Sequence, residues 1–335
     1  MRRLKYGLCG MSLTLAVLTG CGSGSTDTVE TASKVETAGE QMRIVTTIFP
    51  EYDWVREVIG ENADGVDLTL LLDNGVDLHS YQPTADDMMK IADCDLFIYV
   101  GGESDEWVED ALAEAVNPNQ VVINLLEVLG DDVKEEELVE GMEAEDEEED
   151  DEGEEEPEYD EHVWLSLGNA EKLVTYLAEQ IGTLDTAHKE AYQENAALYV
   201  EKLEKLDQAY QQAVEEAPVH TLVFGDRFPF RYLTDDYGLD YYAAFVGCSA
   251  ETEASFETIV FLTDKINELD LHSVLTIEGT DHKIAETIVQ NTKTKDQQIL
   301  TLDSMQGTTA KDMDEGETYL SIMEKNLDVL KEALQ

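Results

Sequence analysis

The chain has 335 residues and a formal charge of -55, with 76 acidic residues against 21 basic ones. A surface so negative repels nucleic acid and anionic membrane and attracts cations, which removes the first two as electrostatic partners. With 42% apolar residues, the chain is long enough for two domains of ordinary size.

Arg2, Arg3 and Lys5 precede an apolar segment at 8–18, too short for a stable transmembrane span but suited to a secretory signal. The segment runs into Leu18-Thr19-Gly20-Cys21, which resembles the bacterial lipobox, whose cysteine is acylated and becomes the mature N-terminus. Residues 1–20 are then a lipoprotein signal peptide and Cys21 the lipidation site. Residues 21–42, mostly Ser, Thr, Gly, Glu and Ala, form a flexible tether. This predicts an extracytoplasmic protein anchored to the cell membrane by lipid and not spanning it.

From residue 43 strand and helix patterns alternate. Residues 43–49, 66–72, 95–100 and 121–125 read as strands, with helices at 50–60, at 85–92 behind the cap Thr84, and at 103–115. A loop at 73–83, marked by Asn74-Gly75 and Pro83, carries His79. The alternation predicts a mainly parallel sheet covered by helices, the first α/β lobe spanning 43–183. Inside that lobe, residues 131–161 form an acidic run, roughly two thirds carboxylates, which repels itself and reads as a solvated loop. It stops abruptly at His162, followed by Val163, Trp164 and Leu165.

Residues 168–181 are helical, and a pattern without Gly or Pro runs from 186 to 216, with Leu198, Leu203, Leu206 and Tyr210 as its main apolar positions. At about 1.5 Å per residue it extends about 45 Å, suited to a linker helix at 184–217 that bridges two lobes. The second lobe, 218–335, repeats the grammar: strands at 219–224, 240–245, 273–277 and 298–302, helices at 256–269, 285–290 and 316–334. The predicted architecture is therefore α/β, two lobes joined by a long bridging helix, with ligands in the cleft outside the strands' carboxyl ends.

Six histidines are present. His188, His220 and His272 sit in helical or strand patterns and His282 follows a strand; these read as structural or surface residues. His79 and His162 lie in loops, and Asp303 follows a strand in the second lobe. Their convergence would give two imidazoles and a carboxylate, a donor set for Zn2+ or Mn2+. Cys9 leaves with the signal, while Cys94 and Cys248 are far apart, lack a CxxC or Cys/His cluster and read as buried thiols. His-Glu-x-x-His, Gly-x-Ser-x-Gly, Walker and dinucleotide patterns are absent, so no enzyme is expected. A zinc hydrolase with separated ligands and an acidic surface adhesin remain the alternatives from other classes.

The signal and lipobox, the loop Gly75-Val76-Asp77-Leu78-His79-Ser80-Tyr81-Gln82-Pro83, the phrase Asp160-Glu161-His162-Val163-Trp164-Leu165, the long mid-chain helix and Leu302-Asp303 occur in that order. Together they resemble the zinc/manganese substrate-binding lipoproteins of ABC importers, over essentially the whole mature chain. The resemblance implies a solute-binding protein that captures a divalent metal ion between its lobes and delivers it to a membrane permease and its ATPase. It also implies that His79, His162 and Asp303 are metal ligands. The acidic insert is like that of the zinc branch, whereas two histidines with two carboxylates look more like a manganese site; Zn2+ is the expected cargo and Mn2+ the alternative. Two departures stand out. The acidic run holds no histidine before His162, and the family's third ligand falls on Arg227, which cannot bind a cation. Asp226 is the expected replacement, with Glu278 in reserve, unless Arg227 pairs with one of these acids and leaves three donors. Because imidazole binds metal only when neutral, occupancy is expected to fall as pH drops through the histidine range.

Overall fold

The computed structural model describes residues 41–143, 158–249 and 253–335. The expected signal peptide, Cys21, the tether as far as residue 40, and residues 144–157 of the acidic run lie outside the described residues. The first lobe is laid down as β1 (Met42–Thr46), α1 (Phe49–Ile59), β2 (Val66–Leu70), α2 (Ala85–Asp93), β3 (Leu96–Tyr99), α3 (Val108–Ala113), β4 (Val121–Asn124), α4 (Leu125–Leu129) and α5 (Leu167–Leu184). Its four strands are all parallel, in the order β2-β1-β3-β4.

After α6 (Lys189–Glu216) come β5 (Thr221–Phe228), α7 (Arg231–Tyr237), β6 (Asp240–Val246), α8 (Phe256–Leu269), β7 (Ser273–Ile277), α9 (Lys283–Asn291), β8 (Gln298–Leu302), α10 (Ala310–Asp314) and α11 (Tyr319–Ala333). The second sheet is again all parallel, ordered β6-β5-β7-β8. Two parallel sheets flanked by helices, with one long helix between them, is the architecture the alternating pattern predicts.

Several local boundaries differ for identifiable reasons. The strand expected at 43–49 stops at Thr46, because the Glu51 carboxylate reaches back to accept the N–H groups of Thr47 and Ile48 and turns the chain into α1. The helix expected at 103–115 is a short 3-10 turn at Glu103–Asp105 followed by α3. α7 was not foreseen. Leu198, read as a main apolar position of the long helix, is 54% exposed. The buried stripe is instead Tyr192, Ala196, Tyr199, Leu203, Leu206, Tyr210 and Val214, a run of three- and four-residue steps along one face.

At 28 residues α6 is about 42 Å long. It packs on α1 and α5 of the first lobe and on α7 and α11 of the second. The main core is accordingly continuous across both lobes, and hydrogen bonds bolt them together. Trp164 Nε1 donates to the Ser304 carbonyl at 2.8 Å, the Tyr319 hydroxyl to the Trp164 carbonyl at 2.7 Å, and the Tyr210 hydroxyl to the Met323 carbonyl at 2.6 Å. Close-packed joints of this kind resist wide hinge opening and leave rearrangement to loops.

The acidic run is not solvated throughout. Its flanks, residues 133–143 and 158–161, lie against the fold: Glu135 bridges Tyr159, Glu136 N–H donates to the Glu158 carbonyl, and Glu143 bridges Phe245 of the second sheet. Asp160 and Glu161, counted with the loop by charge alone, are 3% and 2% exposed.

Candidate metal centre

The carboxyl ends of the strands place the candidate side chains. β2 leads into the loop that carries His79, in a 3-10 turn at Leu78–Ser80 whose first N–H groups include a bond from His79 N–H to Asp77 Oδ1. β3 leads to Gly101 and Gly102, and β6 leads to Gly247 and Cys248. His162 enters from the second flank of the acidic run and is fully buried.

The two imidazoles meet edge to edge, with Nε2 of His79 3.2 Å from Nε2 of His162. Each ring is held from behind. Nδ1 of His162 donates to Asp160 Oδ1 at 2.9 Å, and the same oxygen accepts the His162 N–H at 2.9 Å. Nδ1 of His79 faces Ser104 Oγ at 2.7 Å and Glu161 Oε2 at 3.5 Å. Partners able to accept a proton at both Nδ1 atoms favour the tautomer that would turn the Nε2 lone pairs toward a shared point, as in carboxylate-histidine-metal arrangements. For a tetrahedral zinc ion with Zn–N of about 2.05 Å, the N···N edge is about 3.3 Å, close to the spacing found.

Cys248 completes the cluster. Its sulfur and the two ring nitrogens all lie within 4.8 Å of one another, and among the described residues this is the group of metal-ligand type that forms. Two glycines make the approach possible. A Cβ on Gly247 would sit 3.0 Å from His162 Cε1 and 2.9 Å from the Phe228 carbonyl, and one on Gly102, at φ +84°, would collide with the Glu161 carboxylate.

The electrostatics suit a cation. Burial, helped by His162, lowers His79 to about 3, which keeps it neutral. Burial also works against the His162 cation, but Asp160, by charge and hydrogen bond, with Glu161 and Glu136 behind it, outweighs that and leaves His162 raised. The Cys248 thiol is raised well above its ordinary value by burial and then by Glu136, Glu161 and Asp160. A divalent ion held here would supply the positive charge these groups surround, and a thiol coordinating it would lose its proton.

The expected carboxylate ligands have hydrogen-bond partners of their own. Asp226 accepts Arg227 N–H on one oxygen, and Thr280 Oγ1 at 2.8 Å and Ile277 N–H on the other, so it ties β5 to the end of β7. Glu278 accepts the backbone N–H groups of Ser304, Gln306 and Gly307 and the Ser304 hydroxyl, which shapes the loop after β8. Asp303 accepts Met305 N–H at 2.8 Å; burial and the Glu278 charge raise it to about 7, and Glu317 and Lys325 are its further charged neighbours. None of the three joins His79 and His162 in the cluster of ligand atoms. The Arg227 guanidinium forms its ion pair with Asp77 across the lobes, not with Asp226 or Glu278, and braces the loop of His79. Burial lowers its pKa, opposed by the charges of Glu278 and Cys248.

Spacing alone gives Cys248 no signal, because no second cysteine or histidine lies near it in the sequence. The placement rule applied to His79 and Asp303, a donor just past a strand's carboxyl end, also selects it.

Comparison with known proteins gives the same architecture and assigns the chain. A family described as "Zinc-uptake complex component A periplasmic" matches residues 44–333. The high-affinity zinc uptake system protein ZnuA of Bacillus subtilis (strain 168) is 30% identical over 329 residues, 98% of this chain and 97% of that protein. The zinc-binding lipoprotein AdcA of Streptococcus pneumoniae (strain ATCC BAA-255 / R6) is 32% identical over 300 residues, 90% of this chain; the match spans 57% of AdcA. Among solved structures, the Zn(II)-bound ZnuA-like domain of S. pneumoniae AdcA superposes with a TM-score of 0.67 at 29% identity, covering 88% of this chain and 99% of that domain. A match running nearly end to end, over the same pair of parallel sheets and bridging helix, means that the chain belongs to the family of periplasmic A components of zinc-uptake complexes.

Proposed function

We propose that this protein is the extracytoplasmic solute-binding component of an ABC importer, that it captures one Zn2+ between its lobes at His79, His162 and Cys248, and that it delivers the ion to a membrane permease served by an ATPase. Lipid at Cys21 would hold it at the cell membrane. Its task is stoichiometric capture and release, with no turnover of a substrate. The observation that carries the reading is the convergence of two Nε2 lone pairs, each aimed by a partner at its own Nδ1, beside a thiol. Relatives named for zinc binding and zinc uptake support the choice of cargo. The donor set supports it independently, because thiolate favours Zn2+ over the harder Mn2+, reversing the weight that two carboxylates would have given to manganese. Cation attraction by the acidic surface assists capture within a Debye length, about 8 Å at physiological salt, without setting affinity.

Zinc titration of chelator-stripped protein tests this. One ion should bind per chain, and His79→Ala with His162→Ala should abolish binding. Undiminished stoichiometric binding by the double variant would overturn the site.

A further inference from the structure

The candidate metal centre is closed toward the acidic flank and borders a cavity elsewhere. His162 is fully buried and the His79 side chain is 8% exposed. Where the flank lies against β6, the space left among Glu136, Asp160, Phe228 and Gly247 is about 10 Å3, room for one water at most. Around the donor loops, by contrast, a cavity of about 820 Å3 opens, lined by Asp77 and Ser80 from either side of His79 in the chain, by Ser249 next to Cys248, and by Arg227. We propose that the Arg227–Asp77 ion pair is a side-chain gate on the route of Zn2+ from this cavity to the donors and sets the rates of capture and release; the inference rests on the receptor reading above.

Both members of the pair face two ways. Each lines the cavity, and each also reaches the donors: Asp77 Oδ1 accepts the His79 N–H at 3.0 Å, and the charge of Cys248 acts on the Arg227 guanidinium. The other Asp77 oxygen takes the guanidinium across the lobes, with the two side chains 22% and 17% exposed. Opening the lobes is a costly way past this pair, because the buried bonds of Trp164, Tyr319 and Tyr210 fasten them. Swinging one long side chain breaks a single ion pair and leaves that joint intact.

Charge decides what such a gate does. The guanidinium stays protonated, so it repels Zn2+ as long as it stands beside Cys248. Asp226, Glu253 and Asp281 line the same cavity and raise the cation concentration on its outer side. The ion is thus drawn to the mouth and held there until Arg227 moves, and an ion already inside meets the same barrier on leaving.

The test is stopped-flow kinetics of the full chain, with Zn2+ mixed into metal-free protein for capture and excess EDTA mixed into loaded protein for release. Arg227→Gln should accelerate both by about tenfold or more, capture at least as much as release, so that affinity does not weaken. Arg227→Lys, which keeps a cation to pair with Asp77 but loses the planar fork, should fall between that variant and the wild type. Lys283→Gln, on the same cavity but paired with Asp281, should release zinc at the wild-type rate. Release by Arg227→Gln within about twofold of wild type, or faster release without faster capture, would overturn the gate and leave the receptor reading intact, the second result marking Arg227 as a brace for His79 alone. A wild-type protein that holds no zinc would instead sink the receptor reading.

Discussion

Glu51 offers a test of the fold that runs against the usual pH behaviour of proteins. Its side chain is fully buried at the start of α1, where Oε2 accepts the N–H groups of Thr47 and Ile48, and Oε1 has no partner among the described residues. Burial, with the Asp105 charge adding to it, pushes the carboxyl up from 4.5 to about 8, and Asp105 Oδ1 is likewise buried and without a partner among the described residues. The folded protein thus holds a proton that the unfolded chain releases near pH 4.5. Below that pH both states are protonated and the full stabilisation is present. As pH rises to about 8 it is lost, because only the folded state must then surrender its proton or bury a charge. At about 1.36 kcal/mol per pH unit, the difference between Glu51 and an uncharged isostere should amount to roughly 3–5 kcal/mol across this window. Glu51→Gln keeps an acceptor for the two N–H groups and cannot ionise. Denaturant unfolding of metal-free protein at pH 5, 7 and 9 should give nearly equal stabilities for the two proteins at pH 5 and a more stable variant at pH 9. A gap that stays constant with pH, or one that grows in favour of the wild type as pH rises, would refute the reasoning.

Other outcomes follow from the site and the lobe joint. Cys248→Ser should weaken zinc binding about 100-fold, taking about 3 kcal/mol as one donor's share of the roughly 10–16 kcal/mol typical of a four-donor zinc sphere, and should narrow the preference for Zn2+ over Mn2+ in competition. Gly247→Ala should weaken zinc binding while leaving the far-ultraviolet circular dichroism unchanged, because the new methyl meets His162 Cε1 at 3.0 Å and the Phe228 carbonyl at 2.9 Å. Trp164→Phe removes the buried bond to the Ser304 carbonyl between the lobes and should cost about 1–3 kcal/mol in unfolding experiments.

The alternation of strand and helix patterns was enough to read the two parallel sheets, because strands buried on both faces are apolar runs and their spacing leaves room only for crossovers. Strands 273–277 and 298–302 and the helix at 256–269 fall where the apolar runs place them. Boundaries set by single side chains were hidden: the end of β1 depends on Glu51 reaching back to Thr47, and α7 is only seven residues long. At the site, His79 and His162 stood out as histidines in loops, but nothing in their spacing reveals that Asp160 and Glu161 buttress both rings. Those acids were read with the charge run they terminate, although burial separates them from it. Cys248, the proposed third donor, was hidden for a related reason. Arg227 occupies the expected ligand position, and only the pairing of β5 with β6 in three dimensions brings Cys248, twenty-one residues later, to the same place.

X-ray absorption at the zinc edge of the fully loaded protein reads the inner sphere directly. The account predicts two imidazole nitrogens at about 2.0–2.1 Å and one sulfur at about 2.3 Å, with the sulfur contribution lost in Cys248→Ser. A spectrum of nitrogen and oxygen scatterers alone in the wild-type protein would contradict it.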